Sequence, residues 1–429
     1  MSDRIRDDMR QARRASGMVW ARFARAAGFG EAYLRNVENG NRSLTRAVVA
    51  AYDRVLGTDG AFTAALREVA STQSVQDPWE QSQSLAVLTE LVGGGHVDRR
   101  SFLSAAAALS VSASSWSKAV ESTRPRTRTA VPDGPALVAH IDDRLDCLRH
   151  LDDELGSGQV YHLARSELSL IVTLLQSRRY DDGTAERLHA MASEAARQVA
   201  WAAFDQSRPG LAQRFFDGAF RASAEAGDPI SGAYALSFAA IQCYSTPGQA
   251  GRAVALLETA QDQVKWQATP RMQAMLAART ARALSKTGAK KECAHQLHLA
   301  RAALDKGPHE DDPKTLYWVD YGEIEMIAGS AALYLGDPAE AMRRFAAAME
   351  ASYPGDEAYP RSHAIYLARA AEAHLAMHDL DAAVATANHA ARCLGSVDSA
   401  RSASELTGLR EKLKPHTAHT AVREFLQAG

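Results

Sequence analysis

A small residue, a large one four positions on and an alanine three further recur along the second half of the chain. The copies are Ala212/Phe216/Ala219, Ala253/Leu257/Ala260, Cys293/Leu297/Ala300, Ala341/Phe345/Ala348 and Ala383/Ala387/Ala390, in the last of which an alanine takes the large position. Their first members are 41, 40, 48 and 42 residues apart. Steps of three and four put each triplet on one helix face. Small residues there let a second helix approach closely, and the large one fills the gap to the next repeat. Recurrence at this period restricts the region to stacked helix pairs, each burying its apolar face against a neighbour. No run of strand length alternates with period two, so the whole chain is expected to be all-α.

The array is expected over 136–429. Residues 136–190 read as one or two less regular pairs, and Ser404–Leu413 with Thr420–Leu426 as a cap over the exposed end face. Gly307–Pro313 and Tyr353–Pro360 read as loops that lengthen the period.

Residues 1–70 differ. Here five short helices are expected, with Ile5, Met9 and Ala12 inward on the first, Val48, Val49, Tyr52 and Val55 on the fourth, and Phe62, Leu66 and Val69 on the fifth. Between Trp20 and Asn39, Phe23, Ala24 and Ala27 give one helix an inner face, Gly28 suits a tight turn, and Leu34 and Val37 face inward on the next. Residues 1–60 carry 11 arginines against 7 acidic residues, whereas the chain as a whole has a net charge of −2.

Over residues 4–57 this stretch resembles the Xre/Cro-type helix-turn-helix repressor domain, down to the Glu38-Asn39-Gly40 ending of the second motif helix. The resemblance implies double-stranded DNA as partner, with Gly30, Glu31, Ala32, Tyr33, Arg35 and Asn36 in the major groove. The residue types suit base readout, since Arg35 can pair with guanine, Asn36 with adenine, and Glu31 can accept from cytosine. Phosphate contacts would come from Arg22, Asn41, Arg42 and backbone N–H groups. Val19 and Trp20 stand where the family has Ser/Thr and Gln; Trp20 can donate one hydrogen bond or pack on a sugar.

The copy Leu335-Gly336-Asp337-Pro338 through Ala348 resembles the second half of a tetratricopeptide repeat, and His378-Asp379-Leu380 matches its turn. Together the two resemblances are similar to Xre–tetratricopeptide regulators of the actinobacterial type and, in architecture, to the peptide-pheromone receptors of Gram-positive bacteria. They imply a homodimeric, DNA-binding regulator whose concave groove takes a peptide or protein ligand. Repeat register places Glu194, Arg197, Trp201, Phe238, Gln242, Met275, Arg282, Glu323, Met326 and Tyr334 in that groove. The competing reading is a repeat scaffold whose helix-turn-helix is vestigial.

Residues 71–135 read as a linker with helices near 79–92 and 100–110 and a hinge at Gly93–Gly95. Asp98–Leu103 imitates a twin-arginine export signal but lies far from the N-terminus, so a packing helix is the better reading. No run of 18 apolar residues exists to span a membrane. The four cysteines form no C-x-x-C pair, which fits a reducing cytoplasm. No phosphate-binding, dinucleotide, nucleophile-elbow or zinc-protease motif is present, so no enzyme and no cofactor are expected. His374/His378 and His295/His298 are the spacings that could share a metal, and solvated or packed histidines are the preferred reading. Trp201, Trp266, Trp318, Tyr321 and Tyr334 read more readily as repeat core than as a ligand cage.

Overall fold

The computed structural model describes residues 2–39, 46–58, 60–65, 81–93, 113–120, 134–177, 180–351, 353–354, 358–395 and 397–428. Among them every regular element is helical, so the fold is all-α. They belong to two compact units, residues 1–80 and 81–429.

The first unit holds α1 (Ser2–Ala15), α2 (Trp20–Ala27), α3 (Glu31–Glu38), α4 (Arg46–Leu56) and α5 over the described residues 61–65. Ile5, Met9, Phe23, Leu34, Val37, Val49, Tyr52 and Phe62 form its core, with Ala12 and Val55 packed at the edge. Phe23 and Tyr52 meet edge to face at 4.7 Å. The α2–α3 turn needs Gly28: at φ +78° its N–H closes α2 on the carbonyls of Ala24 and Arg25. Asp53 on α4 caps α5 by accepting from the N–H groups of Phe62 and Thr63, both at 2.9 Å. Leu66 and Val69 lie outside the described residues.

The second unit begins with α6 (Gln81–Gly93) and α7 (113–120), then α8 (Gly134–Leu155), α9 (Ser157–Ser177) and α10 (Asp182–Asp205). The repeats follow as α11 (Pro209–Glu225), α12 (Pro229–Ser245), α13 (Ala250–Val264), α14 (Pro270–Thr287), α15 (Lys290–Leu304), α16 (Tyr321–Tyr334), α17 (Pro338–Glu350), α18 (Pro360–Ala376) and α19 (Leu380–Leu394). They end in α20 (Ala400–Leu413) and α21 (Thr420–Gln427). Each recurring triplet lies on the second helix of a pair: α11, α13, α15, α17 or α19. All its members are buried except the half-buried Leu297. The close approach is literal at Gly329, where an added Cβ would lie 2.6 Å from the ring of Phe345. Gly227-Asp228-Pro229 and Gly336-Asp337-Pro338 build their turns alike. A left-handed glycine ends one helix, the aspartate caps the next, and proline occupies its first turn.

Two helices of the expected linker region belong to this unit. α6 packs on α9 and α11, where Gly218 leaves room for Leu91. α7 buries Trp116 completely: its indole fills the space over Gly232, and its Nε1 donates to Ser223 Oγ at 2.7 Å. The expected helix at 100–110, Gly94, Gly95 and the Asp98–Leu103 stretch lie outside the described residues.

The array closes on itself. The Asp398 N–H donates to Leu155 O at 3.1 Å, and Asp398 O accepts from the Gly158 N–H at 3.4 Å and from Gln206 Nε2 at 2.9 Å. Gly156 and Gly158 make this seam possible, since a Cβ on either would overlap Asp398. Arg361 on α18 bonds Asp152 on α8, and Arg401 on α20 bonds the fully buried Asp205 on α10. The two ends of the solenoid thus meet and turn an open groove into a walled cavity.

Candidate functional site

In the first unit, α3 turns one face to solvent. With Leu34, Val37 and Glu38 turned inward, Ala32, Arg35 and Asn36 of α3 stand in solvent beside Gly30, and Arg22 on α2 is also exposed. Arg35 is held by Glu31 one turn earlier, Nη2 to Oε1 at 2.6 Å. Trp20 lies between two guanidiniums, Arg13 at 3.8 Å and Arg35 at 5.0 Å from its ring centre. At a position where the resembled family has glutamine, a cation-stacking side chain thus braces α3. Tyr33 stacks on Phe29 at 5.7 Å and packs against the core, which leaves it half-buried at the edge of this face. Asn41 and Arg42 lie outside the described residues.

Behind this face sits an ion cluster that pattern reading missed. Glu38 is 3 % exposed and takes both a bidentate pair from Arg13, at 2.8 and 3.0 Å, and the Tyr52 hydroxyl at 2.9 Å. Burial and the adjacent carboxylate push the Tyr52 hydroxyl well above its usual range, so it stays a donor. Arg10 adds a bond to the Glu38 carbonyl. The cluster ties α1 and α4 to the C-terminal end of α3 and fixes how that helix is presented.

Residues 5–66 match a family model described as a helix-turn-helix domain. The match spans the whole described first unit except its N-terminal residues, and such a domain points to DNA as its partner. Comparison with curated proteins gives no match. Outside the helix-turn-helix domain, the helical repeats are a property of the fold alone. No helix among the described residues is long and apolar enough to cross a membrane.

The second candidate site is the cavity of the closed array, ≈ 150 Å³ in volume. Its wall comes from α8 and from the first helices of successive pairs. Of the groove residues expected from register, Arg197, Trp201, Phe238, Arg282 and Glu323 line it. Glu194 sits just behind, bonded to Arg149 and Arg197; burial opposes its charge, yet the two guanidiniums hold its carboxyl down at about 2. Gln242 instead donates to Pro209 O, Met275 is core, and Met326 packs with Ala341 and Phe345. Tyr334 is 53 % exposed, beneath the Lys286 ammonium.

Register reasoning missed most of the wall. Arg149 and Asp153 come from α8, in the region read as irregular. Tyr317 and Trp318 come from the α15–α16 connection, Tyr353 and Tyr359 from the α17–α18 connection. The insertions that lengthen the period therefore fill the ring with aromatics. Tyr317 donates to Asp153, whose carboxyl burial raises to about 6 despite Arg361. Glu323, accepting from the Tyr366 hydroxyl at 2.6 Å, is raised by burial to about 7. Trp266, expected in the core, is 88 % exposed, Tyr321 is exposed as well, and Trp318 lines the cavity.

The histidine pairs singled out by spacing lie on α15 and at the end of α18. His295 and His298 are exposed, and the end of α18 separates His374 from His378. His363, His389 and Cys393 do converge, with ligand atoms within 4.8 Å of one another. Two imidazoles and a thiol form a donor set suited to zinc. The His389-x3-Cys393 spacing on α19 was the available signal in the sequence.

Proposed function

We propose that the chain is a DNA-binding transcription regulator, and not an enzyme, whose closed repeat unit senses a ligand. The observation that carries the reading is α3, which shows solvent Ala32, Arg35 and Asn36 while its other face is locked by the core and by Glu38. Rigid presentation of an arginine and an asparagine on one helix face suits readout of guanine and adenine in the major groove. The match of residues 5–66 supports the same assignment. Because one such domain covers too few base pairs for useful selectivity, the regulator acts as a homodimer on two half-sites. The ligand enters the cavity of the second unit. A walled volume of ≈ 150 Å³ suits a small molecule, or the end of a peptide, better than an extended strand.

Selection of bound fragments from a random DNA pool by the full chain tests the reading. A recovered inverted repeat, with affinity falling steeply as salt rises, is the expected result. Recovery of no motif by a folded chain would leave the repeat scaffold with a vestigial helix-turn-helix as the better account.

A further inference from the structure

The cavity wall carries an excess of guanidinium groups, and most are answered. Arg149 and Arg197 share Glu194, Arg361 has Asp152, Arg401 has Asp205 and Arg369 has Glu405. Arg279 and Arg282, one turn apart on α14, have no carboxylate within ion-pair distance among the described residues; Glu323 and Glu405 attract them only from farther off. Arg279 is 6 % exposed, with no hydrogen bond or ion pair among the described residues. Its guanidinium lies over Phe238 at 4.5 Å and Trp318 at 5.0 Å. Arg282 is equally buried; its Nη1 donates to Ser285 Oγ at 3.0 Å, and its Nε is unbonded. Burial and the nearby Arg369 lower Arg282 to about 10, and burial also lowers Arg279.

A buried cation without an anion is costly, and proteins ordinarily pair it. Two on one helix face, both lining the cavity, have the charge and donors to hold an oxyanion. The same wall presents Tyr244, Ile327 and Tyr366, a surface for a flat apolar body. A cavity of about 150 Å³ has room for a molecule of one aromatic ring. We propose that the cavity binds a small aromatic acid, its carboxylate or phosphate held by Arg279 and Arg282. This deepens the sensing half of the function proposed above by naming the ligand class.

The test uses the full chain without DNA. Thermal unfolding is followed at constant ionic strength with benzoate, phenyl phosphate and the neutral benzamide. Benzoate or phenyl phosphate raises the transition saturably, benzamide does not, and the larger of the two responses tells carboxylate from phosphate. Arg279→Met keeps the stem and removes the charge. It raises the transition of the ligand-free protein and weakens the anion response at least tenfold, while Arg282→Met weakens the response likewise. The proposal is overturned if neither anion acts, if benzamide acts equally, or if Arg279→Met lowers the ligand-free transition, which would make Arg279 a stacking strut. Since no DNA is present, failure here leaves the DNA selection result standing, and a failed selection leaves the anion response standing.

Discussion

Arg361 Nη1 lies 2.6 Å from Asp152 Oδ2, a bond that spans 209 residues of sequence and joins α18 to α8. Both side chains are almost wholly buried, and Ser157 Oγ accepts from the same nitrogen at 3.1 Å. Removing one partner leaves the other charge buried and unanswered, at a cost of about 3–5 kcal/mol. Arg361→Ala and Asp152→Ala should each lower stability by that order in denaturant unfolding. The double variant should lose clearly less than the two combined, and additive losses would show that the pair does not hold the seam.

On the first unit, Arg35 is expected to matter for DNA and not for folding. It is exposed, and its pair with Glu31 is a surface pair of small energetic weight. Arg35→Ala should weaken binding to a selected site by about 1–3 kcal/mol and relax preference at one base pair, with the thermal transition unchanged. Fluorescence anisotropy with base-substituted duplexes measures both effects.

Two carboxyls should give opposite pH signatures. Burial opposes the charge of Asp53, but bonds from Thr58, Thr63 and the Phe62 N–H prevail and hold its pKa below the ordinary value. Its contribution is therefore present above the unfolded pKa and fades as pH falls through the lower folded one. Asp53→Ala should remove about 0.5–2 kcal/mol at neutral pH and little in strong acid.

Glu323 works the other way. Its carboxyl is raised to about 7 by burial, with Tyr366, Arg279 and Arg369 opposing the shift and Asp320 adding to it. The stability it confers is complete below its ordinary value of 4.5 and is lost as pH rises through about 7. Glu323→Gln should flatten this part of the stability profile, as followed by denaturant midpoints between those limits.

Trp116 plugs a hole that Gly232 leaves open. Trp116→Ala should cost about 3–5 kcal/mol. Gly232→Ala would place a methyl 2.3 Å from the indole, and should expose α7 to limited proteolysis while the repeats stay helical by circular dichroism.

The small–large–small triplets are legible in the sequence because each sits on a helix with one inner and one outer face. Ala341, Phe345 and Ala348 contrast with exposed neighbours, so periodicity reports the packing. The first helices of the repeats, which supply much of the cavity wall, have little such contrast. On α12, nearly every residue from Gly232 to Cys243 is buried, and periodicity carries no register. Repeat register therefore points to Gln242 where Ile241 lines the wall, and to Met326 where Ile327 does. Tyr317 and Tyr353 come from connections without any period. The Arg361–Asp152 bond belongs to the closure of the array, which no local window contains.

The seam between Asp398 and the Leu155–Gly158 turn has a consequence for how such a chain can vary. An open array has two free ends and can gain or lose a unit at either one, because each unit answers only to its neighbours. A closed circuit has a fixed circumference. Deleting the α16–α17 hairpin would bring α18 one position nearer α14, and Asp152 would no longer face Arg361. The number of pairs is thereby quantised by the geometry of the join. Unfolding should follow suit: with its first and last pairs joined, the circuit should melt in one transition rather than peel from its ends.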